Sequence, residues 1–256
     1  DGRLRRAREL LGQDGAVLHL WVKISPDNIV TAIVPHSEMG QGVHTALPMM
    51  LAEELEAAWD LVRVQEAPAD AAYANGVLGQ GFLRDELGMP AIVTGRWITQ
   101  KAAEFLNLQI TGGSSTIRFT GDRGMRVAGA AVKEMLIAAA AQRWGVAPGE
   151  LVAKLSRVTH AASNRSATYG ELAAEAALLD IPAEPKLKDR KDYTIVGTSK
   201  PRFDIPGKVD GSAVYGVDVK LPEMLYAAVR KAPVWGGTYK SGNEAAAKAV
   251  RGVVAV

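Results

Sequence analysis

The chain has 256 residues, 48% apolar and 23% charged, and its 30 Lys and Arg against 28 Asp and Glu leave a formal net charge of +2. That composition describes a globular protein with room for one large or two small domains, and it gives no bulk attraction to nucleic acid or to a membrane surface. The lack of cysteine excludes disulfides, thiolate zinc sites, a nucleophilic cysteine and any iron–sulfur cluster ligated by this chain.

The first fifteen residues carry Arg3, Arg5, Arg6 and Arg8 among Leu4, Leu10 and Leu11, which reads as a short, solvated basic helix or arm. From Val17 the period changes to two. Leu18, Leu20, Val22 and Ile24 alternate with His19, Trp21, Lys23 and Ser25, as in one half-buried strand. Pro26-Asp27-Asn28 supplies a turn, and the almost continuously apolar Ile29–Val34 follows as a buried strand. The pair forms a hairpin that delivers the chain to Glu38-Met39-Gly40-Gln41-Gly42-Val43-His44-Thr45.

Two glycines bracket a glutamine there, just before helical spacing begins. Glycine allows backbone N–H groups to face a ligand, and a helix start has unpaired N–H groups at its positive end. The junction therefore suits an anion such as a cofactor phosphate, although Gly-x-Gly in this position is more often a tight turn. Thr45 is the expected N-cap, with Pro48 in the first turn. Leu47, Met50, Leu51, Leu55 and Ala58 make one apolar stripe that Glu53, Glu54 and Glu56 avoid. Leu61–Gln65 is a third strand, and 66–100 is a long excursion of little periodicity, punctuated by glycine and proline.

Thr111-Gly112-Gly113-Ser114-Ser115-Thr116 is a second candidate loop, with four hydroxyls in six residues suited to phosphate or pterin oxygens. Val127–Trp144 is an alanine-rich helix stopped by Gly145, Glu150–His160 a short hairpin, and Thr168-Tyr169-Gly170-Glu171 a capping box that opens a helix through Leu179. Ile181–Asp192, rich in proline and charge, marks a linker between a domain at 1–180 and another at 193–256. The latter is expected to be strands at Ala213–Val219 and Leu225–Val229 with a helix near Asn243–Val250. Together these elements read as an α+β fold with mixed sheets and packed helices.

Chemistry candidates thin out quickly. His36 and His44 flank the first loop, but no third metal ligand stands near them in sequence. Glu38 offers a general base, although loop carboxylates usually pair with a cation. Neither Gly-x-Ser-x-Gly nor a Walker lysine is present, which argues against a serine hydrolase and an ATPase.

Four stretches carry a resemblance that no single motif does: Val34–Leu55, Thr111–Val146, Thr159–Ala173 and Pro201–Val229. In order and over nearly the whole chain they resemble the molybdopterin-binding subunit of the xanthine dehydrogenase/aldehyde oxidase family, in its isoquinoline 1-oxidoreductase beta-subunit branch. The resemblance implies a molybdopterin-binding domain followed by the start of an α/β hammerhead domain. It implies that Gly40, Gln41 and Gly42 contact the pterin or a molybdenum ligand, and that Gly113, Ser114, Ser115 and Thr116 hold the pterin and its phosphate. The implied cofactor is molybdopterin cytosine dinucleotide, and the implied reaction oxidises an aldehyde or an N-heterocycle with oxygen from water.

The implied partners are the remainder of the large subunit, a 2Fe–2S subunit, a cytochrome c subunit and a small-molecule substrate, with no nucleic acid. A twin-arginine leader and a periplasmic location, with membrane association through a partner, follow from the same branch; otherwise the protein is cytoplasmic. The family's catalytic glutamate, in a Gly-x-Gly-Glu type motif late in the subunit, has no counterpart in these residues. The chain is therefore expected to be an N-terminal portion or one half of a divided subunit, with no catalytic residue of its own. Two other readings remain open: a non-catalytic cofactor-binding scaffold and a stand-alone nucleotide-binding domain.

Overall fold

A computed structural model describes residues 2–256. The chain divides into two compact units, the first ending at Ser212 and the second covering Ala213–Val256. The first unit is α+β. Its elements are α1 (Gly2–Leu11), β1 (Ala16–His19), β2 (Val22–Ile24), β3 (Val30–Val34), α2 (Val43–Leu55), β4 (Val62–Glu66), α3 (Gly76–Gly81), α4 (Arg96–Phe105), α5 (Ser114–Thr116), α6 (Arg126–Trp144), β5 (Val152–Lys154), β6 (Arg157–His160), β7 (Arg165–Thr168), α7 (Tyr169–Ala176) and α8 (Ile205–Asp210).

One sheet has the order β1-β2-β3-β4, antiparallel except for β3 and β4, which run parallel in the register Val30↔Val62 to Val34↔Glu66. Parallel neighbours need a crossover, and α2 supplies it. All five residues of β3 are buried, as its unbroken apolar run requires of a strand covered on both faces. The other sheet, β5-β6-β7, is antiparallel; β7 was not expected from the sequence. Two sequence features fix α6 and α7. Gly145 closes α6 at φ 65, and Thr168 Oγ1 accepts from the Glu171 N–H, whose carboxylate accepts from the Thr168 N–H at 2.7 Å.

Several expectations are corrected. The alternating run from Leu18 to Ile24 is not one strand: it turns at Leu20–Trp21 and pairs with itself, His19 opposite Val22. The period-two pattern survives because both arms of the hairpin bury residues, so the turn leaves no polar signature. The basic arm is a docked helix, with Leu4, Ala7 and Leu11 buried and Arg3 donating to the carbonyls of Ala72 and Ala74. Residue 42, not Thr45, caps α2, which places Pro48 beyond the first turn. The excursion at 66–100 is largely helical. The 181–192 segment lies within the first unit, where Lys188 pairs with Glu53 at 2.7 Å.

In the second unit the expected strands do not form among the described residues; it holds α9 (Glu244–Lys248), short turns and mostly exposed side chains. A strand requires a neighbour for its N–H and C=O groups, and this unit offers none.

Helices α2 and α6 touch through Gly129, where an added Cβ would fall 2.4 Å from the Leu51 carbonyl oxygen. Gly129→Ala is therefore expected to push the helices apart and to cost about 1–3 kcal/mol. Urea unfolding checks it, and an unchanged midpoint would refute the close approach.

Candidate functional site

The first glycine loop leaves the carboxyl end of β3, where parallel α/β units usually place ligands. Gly40 and Gly42 sit at φ 102 and φ 80, values that only glycine adopts freely, and an added Cβ at either would meet open space. Backbone conformation, not crowding, thus demands these glycines.

The N–H groups that open α2 are not vacant. The Glu38 carboxylate accepts from Gly40 N at 2.8 Å, Gly42 N at 3.0 Å and His44 N at 3.1 Å. Arg202 Nη2 donates to the same carboxylate at 3.2 Å, and its Nη1 donates to the Gly40 carbonyl at 3.1 Å. Burial pushes the Glu38 carboxyl up, but the three N–H donors and Arg202 outweigh it and hold it below the ordinary range. Glu38 is thus the anion of its own cradle. Gln41 is also turned inward, its Oε1 accepting from Met39 N at 2.6 Å and its Nε2 donating to the Ser37 carbonyl at 2.9 Å.

Arg202 arrives on a strap that runs back along α2. Residues 188–196 dock on Glu53 and Glu54 near its C-terminal end. The Phe203 N–H then donates to Thr45 Oγ1 at 3.1 Å near its start. The Phe203 ring stacks on Trp59 with centroids 5.2 Å apart.

The second loop enters at Thr111 and leads straight into α5, a π-helical segment (Ile117–Met125) and α6. Gly113 holds φ 55, again with no neighbour at a Cβ position. Thr116 Oγ1 accepts from Gly112 N at 2.9 Å and shapes the loop from within. Ser114 is exposed and Ser115 half-buried, and neither hydroxyl has a partner among the described residues.

The structure brings the starts of the two loops together. Ser37 N donates to Thr111 Oγ1 at 2.9 Å, and His36 Nδ1 lies 2.9 Å from the Ile110 carbonyl oxygen. A carbonyl only accepts, so Nδ1 carries the proton and Nε2 is the acceptor. Nε2 faces Thr120 Oγ1 at 3.0 Å and the Asn75 amide at 3.0 Å. His44 adds Nε2 against the His36 carbonyl at 2.8 Å. The two histidines therefore pin the hinge and are not arranged as a metal pair.

Burial pushes the His36 pKa down to about 4. The unfolded ring binds a proton near pH 6.5 and the folded ring does not, so His36 subtracts stability as pH falls from 6.5 toward 4. An NMR titration is expected to find the ring neutral at pH 5. A midpoint near 6.5 would refute the hinge as drawn.

Asn75 and Thr120 carried no signal in the sequence, because a lone Asn in an irregular stretch and a Thr beside a glycine look like turn residues. Arg202 was equally hidden, its partner Glu38 standing 164 positions away.

No family model matches the chain. It is 35% identical to the beta subunit of isoquinoline 1-oxidoreductase from Brevundimonas diminuta, over 92% of this chain and 31% of that protein. It is 27% identical to the membrane-bound aldehyde dehydrogenase [pyrroloquinoline-quinone] of Gluconacetobacter polyoxogenes, over 96% of this chain and 28% of that one. A nicotinate dehydrogenase subunit of Pseudomonas putida matches at 31% identity over 86% of this chain and 16% of its own length. The chain thus spans a third or less of these relatives. Quinoline 2-oxidoreductase from Pseudomonas putida 86 aligns with a TM-score of 0.38 at 16% identity, over 61% of this chain and 16% of its own, a likeness too slight to bear on the fold.

Proposed function

The chain belongs to the isoquinoline 1-oxidoreductase beta-subunit branch of the xanthine dehydrogenase/aldehyde oxidase family, and on that premise we propose that it grips the pterin end of a molybdenum cofactor in a molybdenum hydroxylase. The observation that carries this reading is the shared hinge. Two glycine loops spring from one buried hydrogen-bonded knot and leave the Ser114 and Ser115 hydroxyls without protein partners among the described residues.

The residues present fit such a group through their donor chemistry. Ser114 and Ser115 offer O–H donors to phosphate or pterin oxygens at the start of a long helix, where the field favours an anion. Gln41 uses one amide proton on Ser37 and retains a second, and Gly40 and Gly42 keep the approach to it clear of side chains. Gly113 permits the turn that presents the serines, and Thr116 fixes its shape. Glu38 already neutralises the start of α2, so the anionic part of the cofactor is assigned to the serine loop and the amide contact to Gln41.

The bound group, in its cytosine dinucleotide form, supplies the redox chemistry that places oxygen from water on an aldehyde or N-heterocycle. The proton-handling carboxylate is assigned to a Gly-x-Gly-Glu motif outside these residues. Electrons are assigned to a 2Fe–2S subunit, in keeping with the lack of cysteine among these residues, and a cytochrome c subunit is a further assigned partner. The same branch points to the periplasm.

Molybdenum and pterin content test the reading. Assembled with its partner chains, the protein is expected to hold stoichiometric molybdenum and a releasable pterin, and Gln41→Ala and Ser114→Ala are expected to lower both several-fold without unfolding it. Unchanged occupancy in both variants would overturn the residue assignments. Extraction of pyrroloquinoline quinone in place of pterin would overturn the cofactor.

A further inference from the structure

The β1–β2 turn, the first turns of α4 and residue Gly124 enclose a cavity of about 370 Å³ that shares no residue with either glycine loop. That volume lies in the range of small-molecule sites. Its walls combine indole faces with hydrogen-bond donors that nothing in the fold uses.

Trp21 is only 6% exposed. The benzo edge of its ring lies against Gly124, where an added Cβ would fall 2.1 Å from Cζ3. The N–H edge is therefore turned away from Gly124, and no described residue accepts from it. The N–H is not sealed in the interior, so it stands as an open donor on a residue that lines the cavity.

His19 supplies a second donor. Its Nδ1 accepts from the Trp21 backbone N–H at 3.4 Å, which places the ring proton on Nε2, and that atom also has no partner among the described residues. Burial, with the positive fields of Arg3 and Arg96, pushes this ring down to about 4, so it stays neutral at pH 7. Arg96 is exposed and makes no ion pair among the described residues. It opens α4, a ten-residue helix whose first turn has no side-chain cap.

Among the described residues no carboxylate lines the cavity, and Glu104, 2.7 Å from Lys101 and 3.7 Å from Arg3, is engaged by those two cations. The Gln100 amide is engaged too, on Ala74, Glu104 and Gly76. What the cavity offers a visitor is an indole floor at Trp21, an exposed indole at Trp97, a guanidinium fork and two ring N–H donors.

We propose that this cavity binds a planar aromatic carboxylate, the ring between Trp21 and Trp97 and the carboxylate on Arg96, with the His19 and Trp21 N–H groups donating to its oxygens. A guanidinium matches a carboxylate in two parallel hydrogen bonds, and an aromatic ring recovers the indole contact that a bare anion cannot.

Calorimetric titration of the full chain with 2-naphthoate tests this, with no cofactor required. Saturable one-to-one binding is expected. Arg96→Gln and Trp97→Ala, both exposed positions whose folding circular dichroism can verify, are expected to weaken it about tenfold, or about 1.4 kcal/mol. The uncharged isostere 2-naphthamide and inorganic phosphate are expected not to compete. Failure of 2-naphthoate to saturate, indifference to Arg96→Gln, or equal competition by phosphate would overturn the proposal. Because Gln41→Ala and Ser114→Ala should leave this binding unchanged, its outcome is independent of the cofactor reading.

Discussion

Glu53→Ala is expected to cost about 3–5 kcal/mol and to release the strap from α2, the order of loss seen when one partner of a buried ion pair is removed. Glu53 is 1% exposed. Its carboxylate accepts from Ile195 N at 2.6 Å, Val196 N at 2.9 Å and Thr194 N at 2.9 Å, and pairs with Lys188 Nζ at 2.7 Å. Alanine leaves those three N–H groups without their acceptor and leaves the Lys188 ammonium to Glu56 alone, 2.9 Å from its Nζ. Glu53→Gln keeps the shape but loses the charge, and should fall between wild type and alanine.

The pH dependence follows from the same contacts. Burial pushes the Glu53 carboxyl up, but Lys188 and the three N–H donors hold it below its ordinary value. Its contribution is complete above the unfolded value of about 4.3 and is lost as pH falls through the folded one. Urea unfolding at pH 7 and pH 3 should therefore show a large gap between wild type and Glu53→Ala at pH 7 and a smaller one in acid. An equal gap at both would mean that the charge does nothing.

Glu38→Ala is expected to cost about 2–3 kcal/mol and to do something more specific. Without the carboxylate, the N–H groups of Gly40, Gly42 and His44 lose their acceptor beside an Arg202 guanidinium that stays paired with Asp204, a vacancy that an oxyanion fits at the three N–H groups. Phosphate or sulfate in the tens of millimolar should raise the melting temperature of Glu38→Ala by several degrees and leave wild type nearly unmoved. A wild type that responds equally would show that Glu38 does not fill the cradle.

Glu53 and its neighbour Glu54 mark where reading the sequence failed, and for one reason. Glu53 and Glu54 stand off the Leu47–Leu51–Leu55 stripe, as residues of a solvated helix face do. Their partners lie far along the chain, Ile195 being 142 positions from Glu53. Periodicity sees only neighbours, so a second layer laid over the polar face is invisible to it. What neighbours decide was legible: the crossover β3–α2–β4, the Gly145 stop of α6, the Thr168 capping box and the two glycine loops. The turn at Leu20–Trp21 was lost because both arms of its hairpin are buried, and the strands expected beyond Ser212 were lost because apolar alternation states a preference without supplying a neighbour.

The π-helical segment between the serine loop and α6 carries a consequence for aim. Each residue of an α-helix advances the chain about 100° around its axis, and the wider i→i+5 ladder winds less. The compass bearing of Ser114 and Ser115 about the axis of α6 is therefore set by how many of the nine residues from Ile117 to Met125 keep the wide ladder. Gaining or losing one such rung would turn the loop, and the buried Phe119, Thr120, Gly121, Gly124 and Met125 of the segment resist that turn. The serine hydroxyls are thus pointed by a count of hydrogen bonds, held in place by the Thr120 contact to His36 partway along the segment.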